Sequence, residues 1–127
     1  MRTHYAVTLS LLAGIAVGAT AVQKLNAQAK PKGYAVVEID VSNEDPYMKE
    51  YAPTAGKALT DAGGKYLARG GKVVGIDGDA PKKRVVIIEY ENLEKAQAAF
   101  ASAPYRENRK IGDKYAKFRI FAIEGVQ

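Results

Sequence analysis

The 127-residue sequence contains no cysteine, no tryptophan and a single histidine, His4. Without cysteine there is no disulfide, thiolate metal site, iron–sulfur cluster or thiol nucleophile. His4 lies in a stretch with the layout of an export signal. A Ser-His-Asp triad and a histidine-ligated haem are therefore excluded from the mature chain. Carboxylates gather closely only at Asp77 and Asp79, and Asp77-Gly78-Asp79-Ala80-Pro81 reads as turn chemistry. No metal and no cofactor is expected. Gly70-Gly71 precedes a strand pattern rather than a helix, so it is no dinucleotide fingerprint. Basic residues form one run, Lys82-Lys83-Arg84, without interleaved aromatics, and no nucleic-acid partner is expected.

The chain opens with Met1-Arg2-Thr3-His4 and then runs from Tyr5 to Val22 without a charge. A short basic start, an apolar run and small residues make the pattern of a secretory signal, with Ala27-Gln28-Ala29 as the small-x-small cleavage segment. Residues 1–29 are expected to be a signal peptide, and residues 30–127 one domain. The alternative is an uncleaved anchor through residues 5–22, just long enough to cross a bilayer core of roughly 30 Å. The expected location is periplasmic or secreted, with membrane attachment only if the leader stays. Cleavage removes two of the 19 basic residues, Arg2 and Lys24, and none of the 14 acidic ones, leaving a net charge of +3.

Alternation over Tyr34–Val41 predicts a strand with Ala35, Val37, Ile39 and Val41 on one face. Asp45 is expected to cap a helix with Pro46 in its first turn, and Pro53 to kink it. Gly63-Gly64 ends that helix. Lys65–Arg69 reads as a second strand, interrupted by Gly70-Gly71 as a bulge or bend and resumed over Lys72–Ile76. Arg84–Tyr90 (RVVIIEY) is the clearest strand and is apolar on both faces. Asn92 caps a second helix with Ala96, Ala99, Phe100 and Ala103 as its stripe. Pro104 stops or kinks it, Tyr105–Gly112 adds another helical stretch, and Lys117–Glu124 is the fourth strand.

The order βαββαβ predicts an α+β, ferredoxin-like sandwich: a four-stranded antiparallel sheet with its helices on one face. Ala35, Val37, Ile39, Val86, Ile88, Phe118 and Ile120 should face the helices. Val36, Val85, Ile87, Phe121 and Ile123, with Glu38, Glu89 and Arg119, should lie on the other face. Nothing in one small domain covers that second apolar surface, so a homodimer with two sheets face to face is expected.

Several segments carry a family resemblance. They are Gly33-Tyr34 opening the first strand, Asp45-Pro46-Tyr47, Gly63-Gly64, Ala68-Arg69-Gly70-Gly71, Val85 to Glu89, and Ser102-Ala103-Pro104-Tyr105. Over Gly33 to Val126 the chain resembles the domain of unknown function family 1330, small bacterial proteins of the dimeric α/β-barrel superfamily. Ser102-Ala103-Pro104-Tyr105 departs from the family's usual Ser-Pro-x-Tyr by one place, and the leader is a further departure. The resemblance implies the fold and the dimer and assigns no reaction. Superfamily relatives include cofactor-independent oxygenases, haem-containing dismutase-like enzymes and isomerases, and an activity carried over from them would be fold analogy.

The candidate ligand-binding residues are Arg69, Glu38, Glu89, Arg119 and Tyr105. Arg69, beside two glycines, suits a two-pronged clamp on a carboxylate or phosphate, or a structural pair with Glu38 or Glu89. Glu38 and Glu89, placed on neighbouring strands in one cavity, suit acid–base work with Glu89 as the base, or neutralisation of Arg69 and Arg119. Tyr105, like Tyr47 and Tyr51, is either a phenol donor or a core ring with a wet tip. Arg106 and Arg109 fit a solvated helix face. The expected function is an exported homodimer whose barrel interior binds a small anionic or aromatic molecule. The alternatives are a cofactor-independent oxygenase, isomerase or decarboxylase acting on a small organic acid, and an envelope-associated partner protein.

Overall fold

The computed structural model describes residues 30–127. The signal peptide, its cleavage point and the alternative anchor through residues 5–22 lie outside the described residues. No helix among those described is long and apolar enough to cross a membrane.

The strands are β1 (Gly33–Val41), β2 (Lys65–Ala68), β3 (Arg84–Tyr90) and β4 (Ala116–Glu124). All pairings are antiparallel, in the order β2-β3-β1-β4. This is the ferredoxin-like arrangement that the βαββαβ order predicts. Period-two alternation divides the sheet as expected. Ala35, Val37, Ile39, Val86 and Ile88 are buried on the helix side, with Phe118, Ile120 and Ala122 packed against them.

The first helical segment begins as a single turn, α1 (Glu44–Pro46), passes through a π-helical turn over Tyr47–Tyr51, and continues as α2 (Ala52–Asp61). Asp45 is therefore inside the first turn rather than the cap. Asn43 holds the cap position without a side-chain hydrogen bond, and Glu44 and Asp45 place negative charge at the helix start. The break that Pro53 predicts takes the form of the widened turn. Proline has no N–H to give Lys49 and its ring would crowd that carbonyl. A neighbouring side chain satisfies a carbonyl at the break: Asn108 Nδ2 donates to Tyr51 O at 3.1 Å. The Thr54 hydroxyl donates its proton to Asn108 Oδ1 at 2.6 Å. Asn108 is the one buried polar residue among the described residues, and this bonding accounts for its burial. Gly63, at φ 98°, closes α2 in the left-handed region.

The second helical segment is α3 (Leu93–Ala101) followed by α4 (Ala103–Gly112). Asn92 caps α3 as expected, its side chain accepting from Lys95 N at 2.9 Å. Ser102, extended at ψ 147°, separates the helices, and Pro104 sits in the first turn of α4, where no N–H is needed. Gly112 lets α4 approach Tyr51, because a Cβ there would come 2.7 Å from the Tyr51 ring.

The resumption of β2 over Lys72–Ile76 does not occur. β2 stops at Ala68, and residues 69–83 contain no strand or helix. Gly70, at φ 75°, turns the chain out of the sheet before a ladder can continue.

Candidate functional site

Strict alternation along Lys65–Arg69 would put Arg69 on the same face as Lys65, the open face that carries Glu89. The structure places it on the helix side. β2 pairs Lys65 with Glu89 and Tyr66 with Ile88, but the next pair is Ala68 with Ile87, a bulge that gains one residue. One extra residue reverses which face the following side chains meet. Arg69 consequently lies over the Tyr66 ring, its guanidinium carbon 4.2 Å from the centroid, and near Gly56 of α2. The expectation that Arg69 pairs with Glu38 or Glu89 is corrected by this bulge.

Arg69 borders a cleft of about 360 Å³ between the helices and the sheet. That volume is near the lower end of the roughly 300–1,000 Å³ usual for small-molecule sites. Sheet residues Val37, Ile39, Val86 and Ile88 line its floor. Tyr47, Met48, Tyr51 and Gly56 come from the first helical segment, Phe100 and Tyr105 from the second, and Tyr66, Arg69 and Arg84 from the strands and their ends. Its walls thus carry five aromatic rings, Tyr47, Tyr51, Tyr66, Phe100 and Tyr105, among aliphatic side chains. Tyr47 and Tyr51 lie with ring centroids 5.2 Å apart, and Phe100 meets Tyr105 edge-on at 5.0 Å. The Tyr51 and Tyr105 hydroxyls are 3.3 Å apart and buried.

The two cleft cations differ. Arg84 is bound to Glu44 through a charge-assisted hydrogen bond and rests over Tyr47, 5.1 Å from its centroid. Arg69 has a ring beneath it and no carboxylate within ion-pair distance among the described residues. Its guanidinium fork therefore remains open for an anion.

Burial controls the phenols. It pushes Tyr47 up to about 12, against a smaller lowering by Arg84, with Tyr105, Glu44 and Tyr66 adding to the rise. It pushes Tyr51 up further, reinforced by Tyr105 beside it. Tyr90 is also raised, by burial first and then by Tyr66 and Tyr105. These phenols stay protonated at neutral pH. They are hydrogen-bond donors, not bases.

Glu38, Glu89 and Arg119 remain on the open face, as expected, but do not form one site. Glu38 pairs across the β1–β4 ladder with Arg119, whose Nη1 donates at 2.9 Å. Glu89 stands opposite Tyr34 on β1 and Lys65 on β2. Glu38 opposes Val85, four positions along β3 from Glu89, so the two carboxylates are separated by about 13 Å at 3.3 Å per residue. That separation rules out an acid–base pair of these two groups. Between them a row of apolar side chains, Ile87, Val36 and Phe121, runs straight across three strands. Phe121 is 42% exposed and Ile123 58%.

Of the expected ligand residues, Arg69 and Tyr105 share the cleft, whereas Glu38, Glu89 and Arg119 lie beyond the sheet. Tyr66 and Arg84 were not foreseen. Strand parity carries a signal for Tyr66, since its partner Ile88 faces the core. Arg106 and Arg109 border a shallower depression along α4. There Arg109 pairs with Asp113 at 2.8 Å and Lys110 with Glu107 at 3.1 Å, as a solvated helix face predicts. Arg109 also covers Phe118 at 4.0 Å. No group of three or more potential metal-ligating side chains occurs among the described residues.

The family model described as Domain of unknown function (DUF1330) matches residues 32–126. No curated protein matches the chain. Among solved structures, a protein of unknown function from Rhodopseudomonas palustris is similar at 16% identity, covering 85% of this chain and 93% of that one, with a TM-score of 0.60. SnoaB, a cofactor-independent oxygenase from Streptomyces nogalater, is similar at 9% identity, covering 76% and 95%, with a TM-score of 0.55. At these identities the likeness is one of fold.

Proposed function

The chain belongs to the DUF1330 family, and from that premise we propose that it is a homodimer that binds a small planar, anionic aromatic molecule in the helix-side cleft of each protomer. The observation that carries the reading is Arg69: a guanidinium without a carboxylate partner, stacked on Tyr66 at the edge of an aromatic-walled cleft. An aromatic ring gains from edge and face contacts with Tyr47, Phe100 and Tyr66. Its carboxylate or acidic oxygen gains paired N–H donors from Arg69. The Tyr51 and Tyr105 hydroxyls share one hydrogen bond, which leaves the second O–H of the pair to donate to a ligand oxygen.

The dimer rests on the open face. The Ile87–Val36–Phe121 row is flanked by the rows holding Glu38–Arg119 and Glu89–Lys65, so each edge carries both signs of charge. Such a surface is complementary to a second copy of itself turned about a two-fold axis. The seam and the ligand cleft then occupy opposite sides of one sheet. Export through residues 1–29 is part of the same proposal and rests on the signal pattern alone.

The enzymatic alternative with Glu89 as base and Arg69 as clamp draws no support from the geometry, because the sheet stands between them. The likeness to SnoaB extends to the fold.

The test is a thermal-shift series with benzoates, naphthoates and hydroxyquinones against the wild type and Arg69→Ala. Aromatic acids should raise the wild-type melting temperature, and the variant should bind them about 10- to 100-fold more weakly, as loss of a charged hydrogen-bonding partner implies. Equal responses from both proteins would remove Arg69 from the site.

A further inference from the structure

Both cleft cations enter from one end of the sheet. Arg69 follows Ala68, which stands opposite Ile87, and Arg84 begins β3 three positions before Ile87. Arg84 pairs with Ile39, a helix-side residue, so strand parity turns it toward the cleft. Each guanidinium lies over a tyrosine ring, Arg69 over Tyr66 and Arg84 over Tyr47, and the rings orient the two forks. Among the described residues, none that lines the cleft is acidic. Burial keeps the Tyr47 and Tyr51 phenols protonated, so they cancel no charge.

Two positive charges therefore meet one countercharge, Glu44, which reaches Arg84 from outside. Glu44 belongs to the single turn α1 and borders, with Arg84, a separate outer depression. Arg84 thus stands between the depression and the cleft and lines both. The Glu44 side chain is 60% exposed and that of Arg84 26%. An ion pair with so wet a carboxylate contributes little to stability, and water receives that carboxylate readily when it is released. Lys83 borders the same depression and has no ion-pair partner among the described residues, so a released Glu44 stays beside positive charge.

We propose that Arg84 is a second ligand-binding cation of the cleft, and that Glu44 is a counter-ion which the ligand displaces from it. The ligand is then a dianion: an aromatic body with two negative charges at one end, as neighbouring carboxylates or a phosphate ester supply. One acidic oxygen meets Arg69 and another meets Arg84. At Arg84 one charge-assisted hydrogen bond replaces another, and at Arg69 a new one forms. Inside the cleft both are screened by less water and salt than the bond to Glu44. Selectivity for charge follows, because a monoanion satisfies Arg69 and leaves Glu44 in place. This inference rests on the aromatic-anion reading and deepens it, fixing the charge of the ligand and the residue that gives way to it.

The experiment is calorimetry with benzoate, benzene-1,2-dicarboxylate and phenyl phosphate at about pH 8, where a phosphate ester carries close to two charges. It uses the full-length protein and its Glu44→Gln, Asp45→Asn and Arg84→Gln variants. In the wild type at least one dianion should bind about tenfold or more tighter than benzoate, and the one that does identifies the acidic head. Glu44→Gln frees Arg84 and should raise that dianion's affinity about three- to tenfold. Asp45→Asn removes the same charge from the same turn without touching the Arg84 ion pair, and should change the affinity less than about twofold. Arg84→Gln should abolish the preference for the dianion over benzoate; if that variant does not fold, the Glu44 and Asp45 variants decide alone. Benzoate binding with no preference for either dianion overturns the inference and leaves the Arg69 reading standing. An unchanged or weakened dianion affinity in Glu44→Gln overturns it, as do equal gains from Glu44→Gln and Asp45→Asn, since long-range charge then accounts for them. A preference that survives in folded Arg84→Gln overturns it by placing the second charge elsewhere. Failure of all three probes to bind any of these proteins overturns both readings.

Discussion

Ile87 and Ile88 are adjacent in the chain and face opposite fates. Ile88 is fully buried under the helices, while Ile87 sits in the apolar row of the open face. The same alternation supplies both faces of the sheet with aliphatic side chains, so hydrophobicity does not distinguish them. The helix layer does. Over one face it brings Tyr47, Tyr51, Phe100 and Tyr105 into a concave, aromatic space with Arg69 at its edge. The other face stays flat, and its charges pair with one another, as Glu38 does with Arg119. A concavity with an unpaired cation suits a small ligand, and a flat apolar row edged with both signs of charge suits a copy of itself.

The sharpest way to separate the two faces is to truncate the neighbours. Ile88→Ala should cost about 2–5 kcal/mol of protomer stability in urea denaturation, by lost burial and the cavity left behind. Ile87→Ala should cost less there and act mainly on the dimer. Comparable losses from both under conditions where the protein is monomeric would erase the distinction.

Phe121→Asp places a charge in the proposed seam and should raise the dimer dissociation constant about 100-fold, since an unpaired buried charge costs several kcal/mol. Sedimentation velocity reads it directly. Affinity for aromatic acids in the helix-side cleft should remain.

The alkaline limb probes the helix side alone. Below pH 10 the Tyr47 phenol is neutral in the folded and unfolded chain alike, and its contribution is intact. Above pH 10 the unfolded chain ionises first, while the folded phenol holds its proton to about 12. Stability should therefore fall across pH 10–12, and Tyr47→Phe should make that fall shallower in pH-dependent denaturation. An identical slope in the variant would place the loss elsewhere.

The smallest effect belongs to Tyr90. Its side chain is 1% exposed and its hydroxyl has no hydrogen-bond partner in the described protein. Tyr90→Phe removes a buried unsatisfied group and should be neutral or stabilising by up to about 1 kcal/mol in thermal or urea unfolding. A loss of more than that would show that the hydroxyl has a partner.

Much of the fold was legible because it depends on period. Alternation located β1 and β3, and Asn92 and Gly63 marked helix ends by chemistry that acts locally. The site was less legible because it depends on parity. A bulge between Tyr66 and Ala68 moves Arg69 across the sheet, while the sequence marks an interruption only at Gly70-Gly71, after the crossing has occurred. The Pro53 kink was visible, but Asn108 of the second helical segment, which bonds Tyr51 O and Thr54 at the widened turn, was not, because that contact is tertiary. Residues 72–76 have a strand's composition and lack a strand's partner within the protomer, so composition alone misplaced them.

The central claim is that ligand and partner occupy opposite sides of one sheet. The most direct measurement is an NMR titration of the protein with an aromatic acid that passes the thermal-shift series, following the ring signals of Tyr66 and Phe121. The account predicts saturable shifts at Tyr66 with Phe121 unmoved. Saturable shifts at Phe121 with Tyr66 unmoved would contradict it.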